Sequence, residues 1–370
     1  MMKNRNDIPI APIDSMLIVS VAGIGNTILA TPLLRALRQR YPNARLDLLV
    51  WNRAAAAPVE ADPAIDEVQV TPRGFGAWLR FVYRLRQRRY DAVLTVFPSN
   101  QAAYHLFAWL TGARCRIGHA YAGGRKRGEW LLTHRVQADP EIHDVEQNLA
   151  LLRLFDESAA DDMDRRPFFT LTPADRREAD EWVHRAGLAD KRLIGCHPGA
   201  GAAVSLQHWQ GYFKRWPQER FAEAIQGLAR PDRAFLLFGG PEETELKQAV
   251  QSACGDATVH VVDASLSVTA AVLARCELMI CNDSGLMHVA AAVGTPVVAL
   301  FGPTQASRTA PWGDAHTILF KPGAGRPCLR YPFHSSKSKI RCPCAGQCLR
   351  DITVDEVIAQ AEQQLSREPV

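Results

Sequence analysis

The chain lacks any run approaching the roughly 18 consecutive apolar residues of a membrane-spanning helix, so no segment is expected to cross a bilayer. Its opening, Met1-Met2-Lys3-Asn4-Arg5-Asn6-Asp7-Ile8-Pro9, lacks the apolar core of a secretory signal, and the expected location is the cytoplasm. A large excess of charge is also missing: the formal net charge is +4, too small to point to a nucleic acid. The dinucleotide fingerprint is incomplete. Gly23-Ile24-Gly25 is present, but Ile28 stands where the third glycine belongs, which argues against a nicotinamide cofactor; no other cofactor is expected. Structural-zinc spacing is absent as well. Of nine cysteines, Cys115, Cys196, Cys254, Cys276 and Cys281 are scattered through apolar segments and read as buried thiols. Cys328, Cys342, Cys344 and Cys348 do cluster, but their Cys-x-Cys step fits structural zinc poorly, so a metal there is the weaker alternative.

What is present is a long, ordinary globular composition: 370 residues, 47% hydrophobic and 22% charged, too many residues for one core. Apolar strand candidates alternate with helical segments twice over. The first series has strands at 16–21, 46–50, 68–70, 92–96 and 115–118. Its helices are expected from Thr27 to about Arg40 and near 76–89, 101–111 and 143–155. Around 156–175 the chain turns polar and acidic, as a linker would. Asp162-Met163-Asp164 there matches an Asp-x-Asp metal motif only formally. The second series has strands at 193–197, 234–238, 259–262, 278–281 and 297–301, with helices near 218–229, 241–254, 267–275 and 285–293. Thr353 with Glu356 reads as a capping box opening a last helix to about Leu365. The expected division is residues 1–165, 175–350 and a C-terminal helix in 351–370. The fold class is α/β, with two doubly wound Rossmann-like domains.

The densest chemistry lies in residues 277–304. Leu278 to Cys281 reads as a buried strand, Asp283-Ser284-Gly285 as a polar turn, and Leu286 to Val293 as a closely packed helix. Gly294-Thr295-Pro296 ends that helix before the strand Val297 to Phe301. Unpaired backbone N–H groups and the positive end of the helix dipole meet at the turn, which suits a phosphate. Gly285 permits close approach to the backbone, and His288 lies one turn on along the same face. Two more strand ends carry polar groups: Ile194-Gly195-Cys196-His197-Pro198-Gly199-Ala200-Gly201, followed by Lys214-Arg215-Trp216-Pro217, and Phe238-Gly239-Gly240-Pro241-Glu242-Glu243.

These stretches resemble glycosyltransferase family 9, the ADP-heptose:lipopolysaccharide heptosyltransferases, in the Asp-Ser-Gly-x-x-His element and in the Phe301-Gly302-Pro303-Thr304 that follows. The resemblance implies a GT-B arrangement, two domains facing a central cleft, and an inverting transfer of heptose from ADP-heptose to a lipopolysaccharide core or related glycan. It places Lys214 at the donor's diphosphate, Glu243 at the ribose, and His197, Gly199, Asp283, Ser284, Gly285 and His288 around the donor. On the acceptor side it places Gly25, Asn26, Ser99 and Asn100, with Thr31-Pro32 completing the N-terminal element.

Position 26 departs from the family, which has an aspartate there as general base. Asn26 cannot take a proton at neutral pH. It can orient the acceptor hydroxyl while Asp283, His288, His105 or His119 takes the proton, or base catalysis matters little. The rival reading is a non-catalytic nucleotide-sugar-binding relative. A sugar-nucleotide epimerase of similar shape would need carboxylates flanking the sugar, of which only Asp283 and Glu243 qualify.

Residues 76–89 place Trp78, Phe81, Val82 and Leu85 on one helical face and Arg80, Arg84 and Arg88 on another. Arg125-Lys126-Arg127 follow later. A basic amphipathic helix can rest peripherally on the inner membrane; the alternative is a core-packed helix with a solvated arginine face. Ser99, Asn100 and the segment from His143 to Asn148 read as acceptor-side groups or as helix caps.

Overall fold

Short runs of Val, Leu and Ile flanked by glycine-bearing turns become strands buried on both faces, as parallel sheets require. The computed structural model describes residues 12–20, 22–121, 128–155, 163–200, 214–323, 327–330, 332, 344 and 346–367. The chain divides into two units, Met1–Thr170 and Leu171–Val370.

In the first unit the order is β1 (Ser15–Ser20), α1 (Ile24–Arg40), β2 (Arg45–Val50), α2 (Arg53–Ala56), β3 (Glu67–Val70), α3 (Phe75–Gln87), β4 (Ala92–Thr95), α4 (Ala102–Leu110), β5 (Cys115–Ala120), β6 (His134–Gln137) and α5 (Asp144–Leu149). The six parallel strands lie in the order β3-β2-β1-β4-β5-β6. The order reverses between β1 and β4, and ligands of such sheets bind beyond the carboxyl ends of the strands at that reversal.

Helix α1 starts at Ile24, three residues earlier than expected, so Asn26 sits in its first turn with its N–H bonded to the Gly23 carbonyl at 3.0 Å. Pro32 lies inside α1 and has no N–H for the Ile28 carbonyl. The buried Thr31 hydroxyl donates to that carbonyl at 2.7 Å and accepts from the Phe168 N–H at 2.9 Å. The Thr31-Pro32 pair thereby repairs the helix and ties down the end of the unit.

Helix α3 buries Phe81, Val82 and Leu85, and Phe81 and Leu85 join Leu17, Val19 and Leu49 in one core cluster. Its arginines are not one solvated face. Arg88 pairs with the fully buried Asp47 at 2.8 Å and with Glu67 at 2.7 Å, and Arg86 donates to the Leu110 carbonyl at 3.1 Å.

The second unit runs α6 (Pro173–Arg185), β7 (Arg192–His197), α7 (Gln218–Leu228), β8 (Arg233–Leu237), α8 (Thr244–Ala253), β9 (Val259–Val261), α9 (Leu266–Leu273), β10 (Leu278–Asn282), α10 (Gly285–Ala292), β11 (Val297–Phe301), α11 (Ala306–Thr309), β12 (Thr317–Phe320), α12 (Gln347–Arg350) and α13 (Val354–Leu365). Its parallel sheet has the order β12-β11-β10-β7-β8-β9, the same topology with the reversal between β7 and β10. The Thr353–Glu356 capping box forms with both of its bonds. Helix α6 lies partly where a linker was expected. Thr172 caps it reciprocally with Asp175, and Pro173 occupies its first turn. The edge strands β6 and β12 were also not anticipated; both are half-exposed and short, so neither presents a long buried run. Among the described residues no helix is long and apolar enough to cross a membrane.

Candidate active site

The polar chemistry of the second unit collects where β7 and β10 end side by side. β7 delivers His197, which is 1% exposed. Its Nδ1 lies 2.9 Å from the Ser284 hydroxyl and its Nε2 2.9 Å from Glu243 Oε2. Ser284 caps α10, its oxygen accepting from the Met287 N–H at 3.4 Å. Both ring nitrogens are thereby engaged, one by the hydroxyl and one by the carboxylate. Glu243 Oε1 accepts from the Ala200 N–H at 3.0 Å, and Arg215 Nη2 stands 3.6 Å away. Glu243 is thus enclosed, with both oxygens engaged by protein groups. This explains Gly199: a Cβ there would lie 1.9 Å from Glu243 Oε1.

A second cluster surrounds Asp283. Lys214 Nζ pairs with Asp283 Oδ2 at 2.6 Å, and the Thr304 hydroxyl donates to the same oxygen at 2.6 Å. Burial pushes the Asp283 carboxyl up. The Lys214 charge and hydrogen bond, the Thr304 hydroxyl and nearby His288 outweigh it and hold the group below the usual carboxylate range. The ion pair fixes the lysine ammonium beside the residue that precedes the N-cap of α10. Lysine charge, first-turn N–H groups and helix dipole therefore converge on one spot. Gly285 opens α10, and His288, also buried, follows in its first turn.

Asn282, the last residue of β10, holds this arrangement together and carries no expectation from the sequence. Its Oδ1 accepts from the Trp216 N–H at 2.9 Å, while its Nδ2 donates to the carbonyls of Pro198 at 2.9 Å and Gly199 at 3.0 Å. One amide joins the loop after β7 to the segment carrying Lys214. Trp216 anchors that segment from below: it is 1% exposed, donates to the Ile352 carbonyl at 3.0 Å, and packs edge-on against Phe221. The sequence shows only an asparagine after an apolar run; its burial and its partners are visible in the structure alone. Thr304 was visible only as the end of the Phe-Gly-Pro-Thr run.

In the first unit, Gly25 and Asn26 lie in the first turn after β1, while Ser99 and Asn100 follow β4. Ser99 is buried and donates its N–H to the Tyr121 hydroxyl at 3.0 Å. Asn148 Oδ1 accepts from the Phe97 N–H at 2.8 Å and Nδ2 donates to the Leu29 carbonyl at 3.2 Å, tying β4's exit to α1. His143 caps α5 through Nδ1 to the Val145 N–H at 3.2 Å. His105 and His119 are both fully buried, which removes them as direct acceptors of a substrate proton. His119 Nε2 bonds the Gln147 carbonyl at 2.8 Å. Burial lowers its pKa to about 4, against the opposing effect of that bond and with help from His105.

Gly201, Cys342, Asp162 and Arg125-Lys126-Arg127 lie outside the described residues. Among the described residues no group of three or more His, Cys, Asp or Glu side chains is placed to hold a metal ion. The five scattered cysteines are buried, and burial pushes the Cys254 thiol up to about 11.

A model of glycosyltransferase family 9 (heptosyltransferase) matches residues 78–337. Lipooligosaccharide heptosyltransferase 2 of Haemophilus influenzae is 27% identical over 82% of this chain and 88% of its own length. Lipopolysaccharide heptosyltransferase 2 of Salmonella typhimurium is 26% identical over 96% and 99%. Among solved structures, a family 9 glycosyl transferase from Veillonella parvula superposes with a TM-score of 0.76 at 24% identity, covering 97% of this chain and 99% of that one. E. coli ADP-heptose LPS heptosyltransferase II gives 0.71 at 24% identity, covering 95% and 98%. Two doubly wound units of the GT-B class, and a family model spanning most of the sequence, establish that the chain belongs to glycosyltransferase family 9 and is a glycosyltransferase.

Proposed function

We propose that this enzyme moves heptose from ADP-heptose to a sugar of a lipopolysaccharide core, with inversion at the anomeric carbon. The observation that carries the reading is the Lys214–Asp283 pair at the N-terminus of α10. Departure of ADP leaves a diphosphate whose growing negative charge needs a receiver. An ammonium and oriented N–H groups supply one without a metal. The names of the relatives support heptose and the lipopolysaccharide core.

In the proposed step an acceptor hydroxyl, held near Asn26, attacks the anomeric carbon from the face opposite the diphosphate. The new glycosidic bond forms as the bond between the anomeric carbon and the β-phosphate oxygen breaks, and the hydroxyl proton passes to solvent water, since Asn26 cannot take it. Lys214, Ser284 and Gly285 receive the diphosphate, and Asp283 keeps Lys214 aimed at it. Glu243 and His197 shape the nucleoside side of the donor site, with Glu243 braced by His197, Ala200 and Arg215. Asn26 positions the hydroxyl, and leaving-group stabilisation carries most of the acceleration. The enzyme works in the cytoplasm, peripherally on the inner face of the membrane where a glycolipid acceptor is presented.

The test is incubation with ADP-heptose and a deacylated core acceptor, with product configuration read by NMR. A single glycoside of inverted configuration is expected. Donor binding with no transfer, in wild type and Asn26→Ala alike, would support the non-catalytic alternative that the asparagine raises. A retained configuration would overturn the inverting step.

A further inference from the structure

Helix α3 carries two apolar stripes, and only one is used by the core. Phe81, Val82 and Leu85 are buried, whereas Phe75, Leu79 and Tyr83, spaced four residues apart along a second stripe, face solvent. Phe75 and Tyr83 are 77% and 65% exposed, too open to be core side chains that merely reach the surface. The stripe continues onto α4. Leu106 and Trp109 are about half exposed there, at 47% and 50%. The Arg86 bond to the Leu110 carbonyl clamps the ends of the two helices together, so Tyr83 and Leu106 each stand about one turn back from the clamp.

The sequence of this part of the chain is basic. Between Glu67 and Glu129 the sequence holds eleven arginines and lysines and one acid, Asp91. Asp91 is occupied elsewhere: its carboxylate accepts from the N–H groups of Asp14 and Ser15 and pairs with Arg114. Arg80 and Arg84 each follow a residue of the open stripe by one position, about 100° round the helix. Arg73 precedes the helix, and all three are exposed. Among the described residues none of these three makes an ion pair, unlike Arg88.

We infer that the α3–α4 face of the first unit docks on an anionic lipid bilayer, with Phe75, Leu79, Tyr83, Leu106 and Trp109 entering the headgroup boundary and Arg73, Arg80 and Arg84 meeting lipid phosphates. Charge complementarity selects this occupant. Aromatic and aliphatic groups flanked by unpaired arginines are what an interfacial helix offers to acidic lipids. A second copy of this chain would set the same arginines against each other. The assignment rests on the proposed glycolipid acceptor and adds the surface by which the enzyme reaches it.

The experiment is sedimentation of the intact chain with vesicles of phosphatidylethanolamine and phosphatidylglycerol, against vesicles of phosphatidylcholine alone. The wild type is expected to sediment with the anionic vesicles only, and less so as salt rises. Phe75→Ser/Leu79→Ser/Tyr83→Ser should weaken binding by about tenfold or more. Arg80→Ser/Arg84→Ser should weaken it roughly 10- to 30-fold and flatten the salt dependence. Both variants should keep wild-type nucleotide affinity and transfer to a deacylated, soluble acceptor, since every changed side chain is exposed. Binding of either variant equal to wild type would overturn the assignment. So would a wild type that ignores anionic vesicles, or a wild-type dimer that the triple variant dissociates. Any of these with soluble transfer intact leaves the glycosyltransferase reading standing; absent soluble transfer condemns that reading separately.

Discussion

Residue 26 is where this chain differs most from the pattern it resembles. A carboxylate in the first turn of α1 would be favoured by the helix dipole and could take a proton; the asparagine can only position. Asn26→Asp is therefore expected to raise turnover by roughly 10²-fold, the lower end of general-base contributions, with little change in donor affinity. A rate no higher than wild type, measured at saturating donor and acceptor, would show that residue 26 does not sit at the attacking hydroxyl. His119 makes a different prediction. Its folded pKa of about 4 lies below the ordinary 6.5, so between these values the unfolded chain binds more protons than the folded one. Its stabilising contribution is complete above pH 6.5 and is lost as pH falls toward 4, by up to about 3 kcal/mol. His119→Gln keeps a donor for the Gln147 carbonyl and should give a shallower loss of stability over this range in denaturant titrations. At this scale the sequence was informative where chemistry is contiguous, as in Asp283-Ser284-Gly285. It was silent on Asn282, whose partners lie 66 to 84 residues away and become neighbours only when two strand ends meet.

Among elements, the junction of β7, β10 and the segment before α7 decides whether the site exists. Asn282→Ala strands the Trp216 N–H and the carbonyls of Pro198 and Gly199. It should cost about 2–4 kcal/mol, read as a lower denaturant midpoint at unchanged slope. It should also weaken nucleotide binding, because Lys214 loses its mooring. A variant as stable as wild type would mean that this amide does not hold the loops. Strands with continuous Val/Leu/Ile runs and the Thr353-capped helix were readable, since each signal is local. Helix α6 was overlooked although Thr172, Pro173 and Asp175 spell a start signal, because the surrounding acidic composition read as linker. The open stripe of α3 was overlooked because periodicity was matched to one apolar face, and only the tertiary structure shows which face the core takes.

For the whole molecule, the two units repeat one topology but differ in chemistry. The second concentrates buried polar groups at its strand reversal. The first places the half-buried Gly25, Asn26 and Asn100 beside the buried Ser99 there, and carries a basic, aromatic outer face. That difference suits a donor site in one unit and acceptor presentation by the other, and all of it depends on the second unit receiving a diphosphate. Calorimetric titration of ADP into the intact wild type and Lys214→Ala tests this most directly. One site per chain is expected, weakened by about 1.5–3 kcal/mol, roughly ten- to hundred-fold in Kd, when the ammonium is removed. Equal affinity in the two proteins, or no binding by the wild type, would contradict it.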